Sequence, residues 1–82
     1  MDLKEIEKSL IIIYKEVLDT DKIRTTDNLF DLGLDSIKCM ISIVKVKERF
    51  NLQMLNTVVI FKCQSIKSLA KYIYCLKTEV DI

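Results

Sequence analysis

Apolar residues recur at helical spacing in three long stretches, and no two segments offer strands that could pair. From Leu3 to Leu18 they fall at 3, 6, 10, 13, 14, 17 and 18, one face of a helix, with Lys4, Glu5, Lys8, Lys15 and Glu16 on the other side. The spacing resumes at Ser36 and runs to about Phe50, with Ile37, Met40, Ile41 and Val44 on one face. Asp35 or Ser36 is its natural N-cap, since a short oxygen-bearing side chain accepts from the free amides of the first turn. Ser65 caps a last stretch that reaches about Leu76, with Ile66, Leu69, Ala70 and Ile73 facing inward. Thr57 to Phe61 is short, apolar and rich in β-branched residues, and without a partner strand it reads as a brief helix. The expected fold is all-α: a small four-helix bundle of three main helices (about 3–18, 36–50 and 65–76) plus one short helix (about 57–61), with a long loop over 19–35.

The length, 82 residues, bounds this to one domain over 1–82, and 50% apolar with 30% charged residues is an ordinary globular balance. There is no histidine, which removes the usual general base and the commonest metal ligand. So short a chain has trouble walling off a water-free active site, so a binding or carrying module fits better than an autonomous enzyme. A net charge of +1 sets up no global field toward nucleic acid or anionic lipid. The charge is split, however. Residues 1–35 hold five Lys/Arg against nine Asp/Glu, and residues 36–82 hold eight against three, which suggests two faces with different partners. The start is charged and the longest early apolar run is Leu10 to Ile13, so neither a signal peptide nor a membrane span is read from it. Cys39, Cys63 and Cys75 form no CxxC pair and read as small hydrophobes in a reducing cytoplasm.

The loop over 19–35 holds five Asp, three Thr, one Asn and the only Gly, yet Ile23, Leu29, Phe30, Leu32 and Leu34 give it apolar anchors. A long ordered loop in so small a domain is usually functional. It ends in Asn28-Leu29-Phe30-Asp31-Leu32-Gly33-Leu34-Asp35-Ser36-Ile37. Gly33, three positions before Ser36, can turn the chain into the helix with a positive φ. Ser36 then stands at a helix start, where unpaired amides and the macrodipole favour a phosphate. The arrangement suits a serine that carries a phosphodiester.

This segment resembles the attachment site of the acyl carrier and peptidyl carrier proteins, whose pattern is roughly Leu-Gly-x-Asp/His-Ser-Leu/Ile. Leu32-Gly33-Leu34-Asp35-Ser36-Ile37 fits it throughout. Leu29-Phe30 upstream, Phe50 at the end of the second helix, Val59-Ile60-Phe61, and Ser65-Ile66-Lys67-Ser68-Leu69-Ala70-Lys71-Tyr72-Ile73 extend the likeness over most of the chain. The resemblance implies that a phosphopantetheinyl transferase, using coenzyme A and magnesium, places 4′-phosphopantetheine on Ser36. It implies that Gly33 shapes the site, that Asp35 helps the transferase recognise it, and that Ile37 and Met40 touch partners. The arm's thiol would hold an aminoacyl, peptidyl or acyl group as a thioester, and the domain itself would catalyse nothing. A flexible tether raises the cargo's effective concentration at each docked enzyme.

Fatty-acid carriers typically have an acidic second helix, whereas residues 36–50 hold Lys38, Lys45, Lys47 and Arg49 against Glu48. This cationic helix favours a carrier of a nonribosomal peptide-type pathway, expected to be free-standing, monomeric and cytoplasmic. Its expected partners are an adenylating or acyl-loading enzyme and downstream condensing, tailoring or thioesterase enzymes, with no nucleic acid and no membrane. Lys38, Lys45 and Lys47 are then candidate docking charges. A second apolar stripe, Cys39, Ile43, Val46 and Phe50, lies roughly opposite Ile37, Ile41 and Val44, and either stripe suits docking or core, with Ile43 a candidate docking residue. An acyl carrier of polyketide or fatty-acid synthesis and a non-catalytic helical adaptor stay as alternatives. A small DNA-binding domain would show Arg clusters, and here Arg24 and Arg49 stand alone.

Overall fold

The computed structural model describes residues 2–53 and 55–80, the side chains of 78–80 aside. Among the described residues it is all-helical, in the order α1 (Leu3–Leu18), α2 (Ser36–Phe50), α3 (Thr57–Lys62) and α4 (Ile66–Val80). Three long helices and one short one, with the long loop between the first two, agree with the expected fold class. The last helix runs four residues past Leu76, beyond the point where apolar periodicity ends.

Short polar side chains start each helix. Asp2 accepts from the Glu5 amide at 2.8 Å, Asp35 from Lys38 at 2.8 Å, Asn56 from Val59 at 3.3 Å and Ser65 from Ser68 at 3.2 Å. At the other ends, Asp19 (φ 52) closes α1 and Asn51 (φ 53) closes α2 in left-handed conformation.

α1 packs against both α2 and α4, while α3 leans on α2. The core is built from Ile6, Leu10, Ile13, Tyr14 and Leu18 of α1 with Ile66, Leu69, Ala70 and Ile73 of α4. On α2 the stripe that turns inward is Cys39, Ile43, Val46 and Phe50. Ile37, Met40, Ile41 and Val44 lie exposed. Ile43, a candidate docking residue from sequence, is therefore corrected to core: it is 8% exposed and packs in the core cluster.

A polar chain inside this core joins α1 to α2. The Tyr14 hydroxyl donates to Ser42 Oγ at 3.0 Å, and Ser42 donates to the Cys39 carbonyl at 2.7 Å. No buried side-chain oxygen or nitrogen among the described residues is left without a partner. The acidic and basic halves of the chain meet where α1 lies beside α2. Glu16 pairs with Lys45 at 2.8 Å across that seam, and Arg49 donates to Ser9 Oγ at 3.3 Å.

Candidate functional site

Residues 28–34 fold into a single turn with a helix-like ending. The amides of Asp31, Leu32 and Gly33 donate to the carbonyls of Asn28, Leu29 and Phe30 at 3.1, 3.1 and 3.2 Å. The Leu34 amide then reaches back to Leu29 at 3.1 Å. This pair of closing bonds, six-to-one and five-to-two, is the Schellman arrangement, which needs positive φ at its fifth residue. Gly33 stands there with φ 110. A Cβ on Gly33 would meet nothing within 4 Å, so backbone conformation, not space, requires the glycine. The two residues whose contact accompanies this closure, Leu29 and Leu34, are both buried.

The turn delivers Asp35 and Ser36 to the surface at the head of α2. Asp35, in extended conformation, is the N-cap, and Ser36 is the first helical residue. Both are exposed, and among the described residues the Ser36 hydroxyl has no hydrogen-bond partner. Its own amide and that of Ile37 precede the first helical hydrogen bond, which runs from Cys39 to the Asp35 carbonyl at 2.8 Å. An accessible, unengaged hydroxyl beside free amides fits a group joined through a phosphate.

Beyond the serine, the exposed side chains of α2 form an apolar strip. Ile37 is 72% and Met40 62% exposed, followed by Val44 and Ile41. α3 extends the apolar surface with Val58 and Phe61, because a helix of six residues here buries only Ile60 fully. The Phe61 ring stacks on Phe30 of the serine turn, centroids 5.3 Å apart and planes 12° off parallel. Sequence reasoning missed Val58, Phe61 and the stack. The signal available was the short apolar run itself, too short to be hidden on every side.

The cations fare differently. Lys38 and Lys47 are half-buried along the flanks of α2, and Lys45 is held by Glu16. No group of three or more His, Cys, Asp or Glu among the described residues could hold a metal ion. Burial pushes the Cys39 thiol up from its ordinary pKa, and does the same to Cys63 against the opposing effect of Lys62. Neither thiol is activated as a nucleophile. No described helix is long and apolar enough to cross a membrane.

Among the described residues the site is an exposed serine without a hydrogen-bond partner, set at a helix head behind a glycine-closed turn. The chain matches the family model described as phosphopantetheine attachment site over residues 8–73, and it belongs to that family. It is a non-catalytic carrier whose family binds 4′-phosphopantetheine drawn from coenzyme A. It is 38% identical over 79 residues to gramicidin S synthase 2 of Brevibacillus brevis, covering 95% of this chain and 2% of that one. It is 41% identical over 69 residues to bacitracin synthase 2 of Bacillus licheniformis, covering 84% and 3%. The chain thus spans only 2–3% of the length of these relatives. Among solved structures it resembles a chain in the complex of the phosphopantetheine transferase Sfp with coenzyme A and a peptidyl carrier protein. The TM-score is 0.80 at 30% identity, over 85% of this chain and 90% of that one.

Proposed function

We propose that Ser36 is the attachment residue and that the loaded domain carries an aminoacyl or peptidyl thioester between enzymes of nonribosomal peptide-type biosynthesis. In the attachment step the Ser36 oxygen attacks the pantetheine-bearing phosphorus of coenzyme A. The pyrophosphate bond breaks, adenosine 3′,5′-bisphosphate leaves, and the hydroxyl proton passes to solvent or to a base of the transferase. The exposed Ser36 hydroxyl, unengaged at the end of a glycine-closed turn, is the observation that carries this reading. Asp35 is engaged as the cap and also exposed, so it is accessible to a transferase, and Gly33 holds the turn in shape.

Partners of the loaded arm dock on the apolar strip of Ile37, Met40, Ile41 and Val44, continued by Val58 and Phe61. That strip lies next to the serine, and large exposed apolar surfaces mark interaction sites. Lys38 and Lys47 flank it. An adenylating enzyme and condensing, tailoring or thioesterase enzymes are the proposed partners, by analogy with the antibiotic synthases it resembles. Cys39 and Cys63, both free thiols, suit the proposed cytoplasmic setting.

The test is intact mass after incubation with a broad-specificity phosphopantetheinyl transferase and coenzyme A. The wild type should gain one phosphopantetheine and Ser36→Ala none. Ser36 lies inside the cap and its hydroxyl bonds to nothing, so Ser36→Ala should fold normally. Modification of Ser36→Ala would place the site elsewhere.

A further inference from the structure

The turn that carries Ser36 is held to the bundle from the far side, at the connector between α3 and α4. Gln64 grips it twice. Its backbone carbonyl accepts from the Leu29 amide at 2.7 Å, and its side-chain Oε1 accepts from Asn28 Nδ2 at 2.9 Å. Asn28 is in turn committed at its other end, where Oδ1 accepts from the Phe30 amide at 2.8 Å. That bond fixes which face of the Asn28 amide is oxygen, and so leaves Nδ2 for Gln64. The bond to Phe30 starts the turn that Gly33 and Leu34 close.

We propose that Gln64 is a positioning residue for Ser36. By holding the Asn28 amide it keeps the 28–34 turn in the shape that presents the serine. The inference rests on the attachment reading above. Among the described residues no other side chain outside the loop hydrogen-bonds to the turn. The remaining ties are the burial of Leu29 and Leu34, the Phe30–Phe61 stack, and the Thr25 carbonyl accepting from Lys67 at 2.9 Å just upstream. Surface turns open locally with small free energies, so a single polar tie can set the fraction of molecules whose turn is formed. A transferase that binds only the formed turn sees its apparent affinity fall with that fraction. The effect therefore belongs in KM, since the chemistry on the serine oxygen is unchanged once the turn is bound.

Two substitutions separate the tie from mere side-chain size. Gln64→Leu keeps the bulk and removes the acceptor, whereas Gln64→Glu keeps an oxygen facing Asn28 Nδ2. Neither touches the backbone bond to Leu29. On the unmodified 82-residue chain, well below its unfolding temperature, amide hydrogen exchange and transferase kinetics are measured with coenzyme A saturating. Loss of one hydrogen bond should speed exchange at Phe30, Gly33 and Leu34 by about two- to tenfold in Gln64→Leu, leaving Leu10 and Ile73 in the core unchanged. KM for the carrier should rise about two- to fivefold with kcat unaltered, the smaller figure reflecting that the formed fraction falls less steeply than the open fraction rises. Gln64→Glu should restore both. Wild-type values of exchange and KM in Gln64→Leu would overturn the proposal, and so would failure of Gln64→Glu to rescue. Faster exchange with unchanged KM would overturn it as well, because the tie would then steady the turn without governing how Ser36 is presented. If the wild type accepts no arm at all, the attachment reading fails instead, an outcome the mass of the wild type reveals independently.

Discussion

Among the described residues three hold a left-handed backbone, and only one is the glycine. Asp19 and Asn51 sit near φ 50, where short polar residues are tolerated, and they end helices. The wider φ of 110 is reserved for Gly33 and the turn before Ser36. The sole glycine thus stands in the turn that precedes Ser36. Tyr14 is the other residue with a distinctive environment. It is fully buried, and burial is the main reason its phenol is pushed up to about 12, the bond to Ser42 acting the other way. A phenol that keeps its proton longer in the folded state lets the native form bind more protons between pH 10 and 12. Stability is then lost as pH rises through that window and is untouched below it. Tyr14→Phe should cost about 0.5–1.5 kcal/mol at neutral pH for the missing hydrogen bond. That deficit should shrink from about pH 10 upward, because the loss, of order 2–3 kcal/mol for two units, falls on the wild type alone. Denaturant midpoints of both proteins at several pH values check it. A constant gap through pH 12 would mean the phenol ionises as easily in the fold as out of it.

At the scale of elements, α1 and α4 were legible because each has one apolar face and one polar face. For α2 the bounds were legible but the orientation was not, since it is apolar on two sides: Cys39, Ile43, Val46 and Phe50 face the core, and Ile37, Met40, Ile41 and Val44 face solvent. Periodicity finds such a helix but cannot orient it, and only the positions of α1 and α3 decide. The serine turn was legible from Leu32 to Ser36 because its chemistry is local. Its tie to Gln64 was not, because Asn28 and Gln64 lie 36 positions apart and neither belongs to a pattern. The orientation of α2 predicts unequal costs for equal truncations. Ile43→Ala should lose about 2–5 kcal/mol through lost burial and the cavity left behind. Ile37→Ala, on the exposed face, should stay within about 0.5 kcal/mol of wild type. Urea unfolding of the two variants measures both, and Ile43→Val, expected to cost about 0.5–1.5 kcal/mol, covers the case in which the alanine variant does not fold. Similar costs at positions 37 and 43 would contradict the assignment of the two faces.

For the whole molecule, the split of charge between the halves of the chain looked like two faces and became a seam. Packing α1 against α2 sets Glu16 against Lys45, with Glu48 and Arg49 lining the same groove, which has a volume of about 400 Å³. The cations of α2 are therefore not equivalent as docking charges. Lys45 is engaged within the molecule, and an exposed pair of this kind contributes at most about 1 kcal/mol to stability. Lys47 has no ion-pair partner among the described residues and lies on the opposite flank of the apolar strip. Docking driven by that strip should draw its affinity from apolar burial, with exposed charge setting the encounter rate. Lys47→Glu should accordingly slow loading by the proposed adenylating enzyme at low salt, and the deficit should shrink as salt is raised. Lys45→Glu should leave loading near the wild-type rate and show its effect in stability instead, since it places a carboxylate beside Glu16. The double variant should load no more slowly than Lys47→Glu alone. Loading rates against salt for the three variants decide the matter. A defect in Lys45→Glu as large as in Lys47→Glu would mean that the Glu16 pair opens when a partner docks, and that cations on both flanks of the strip take part.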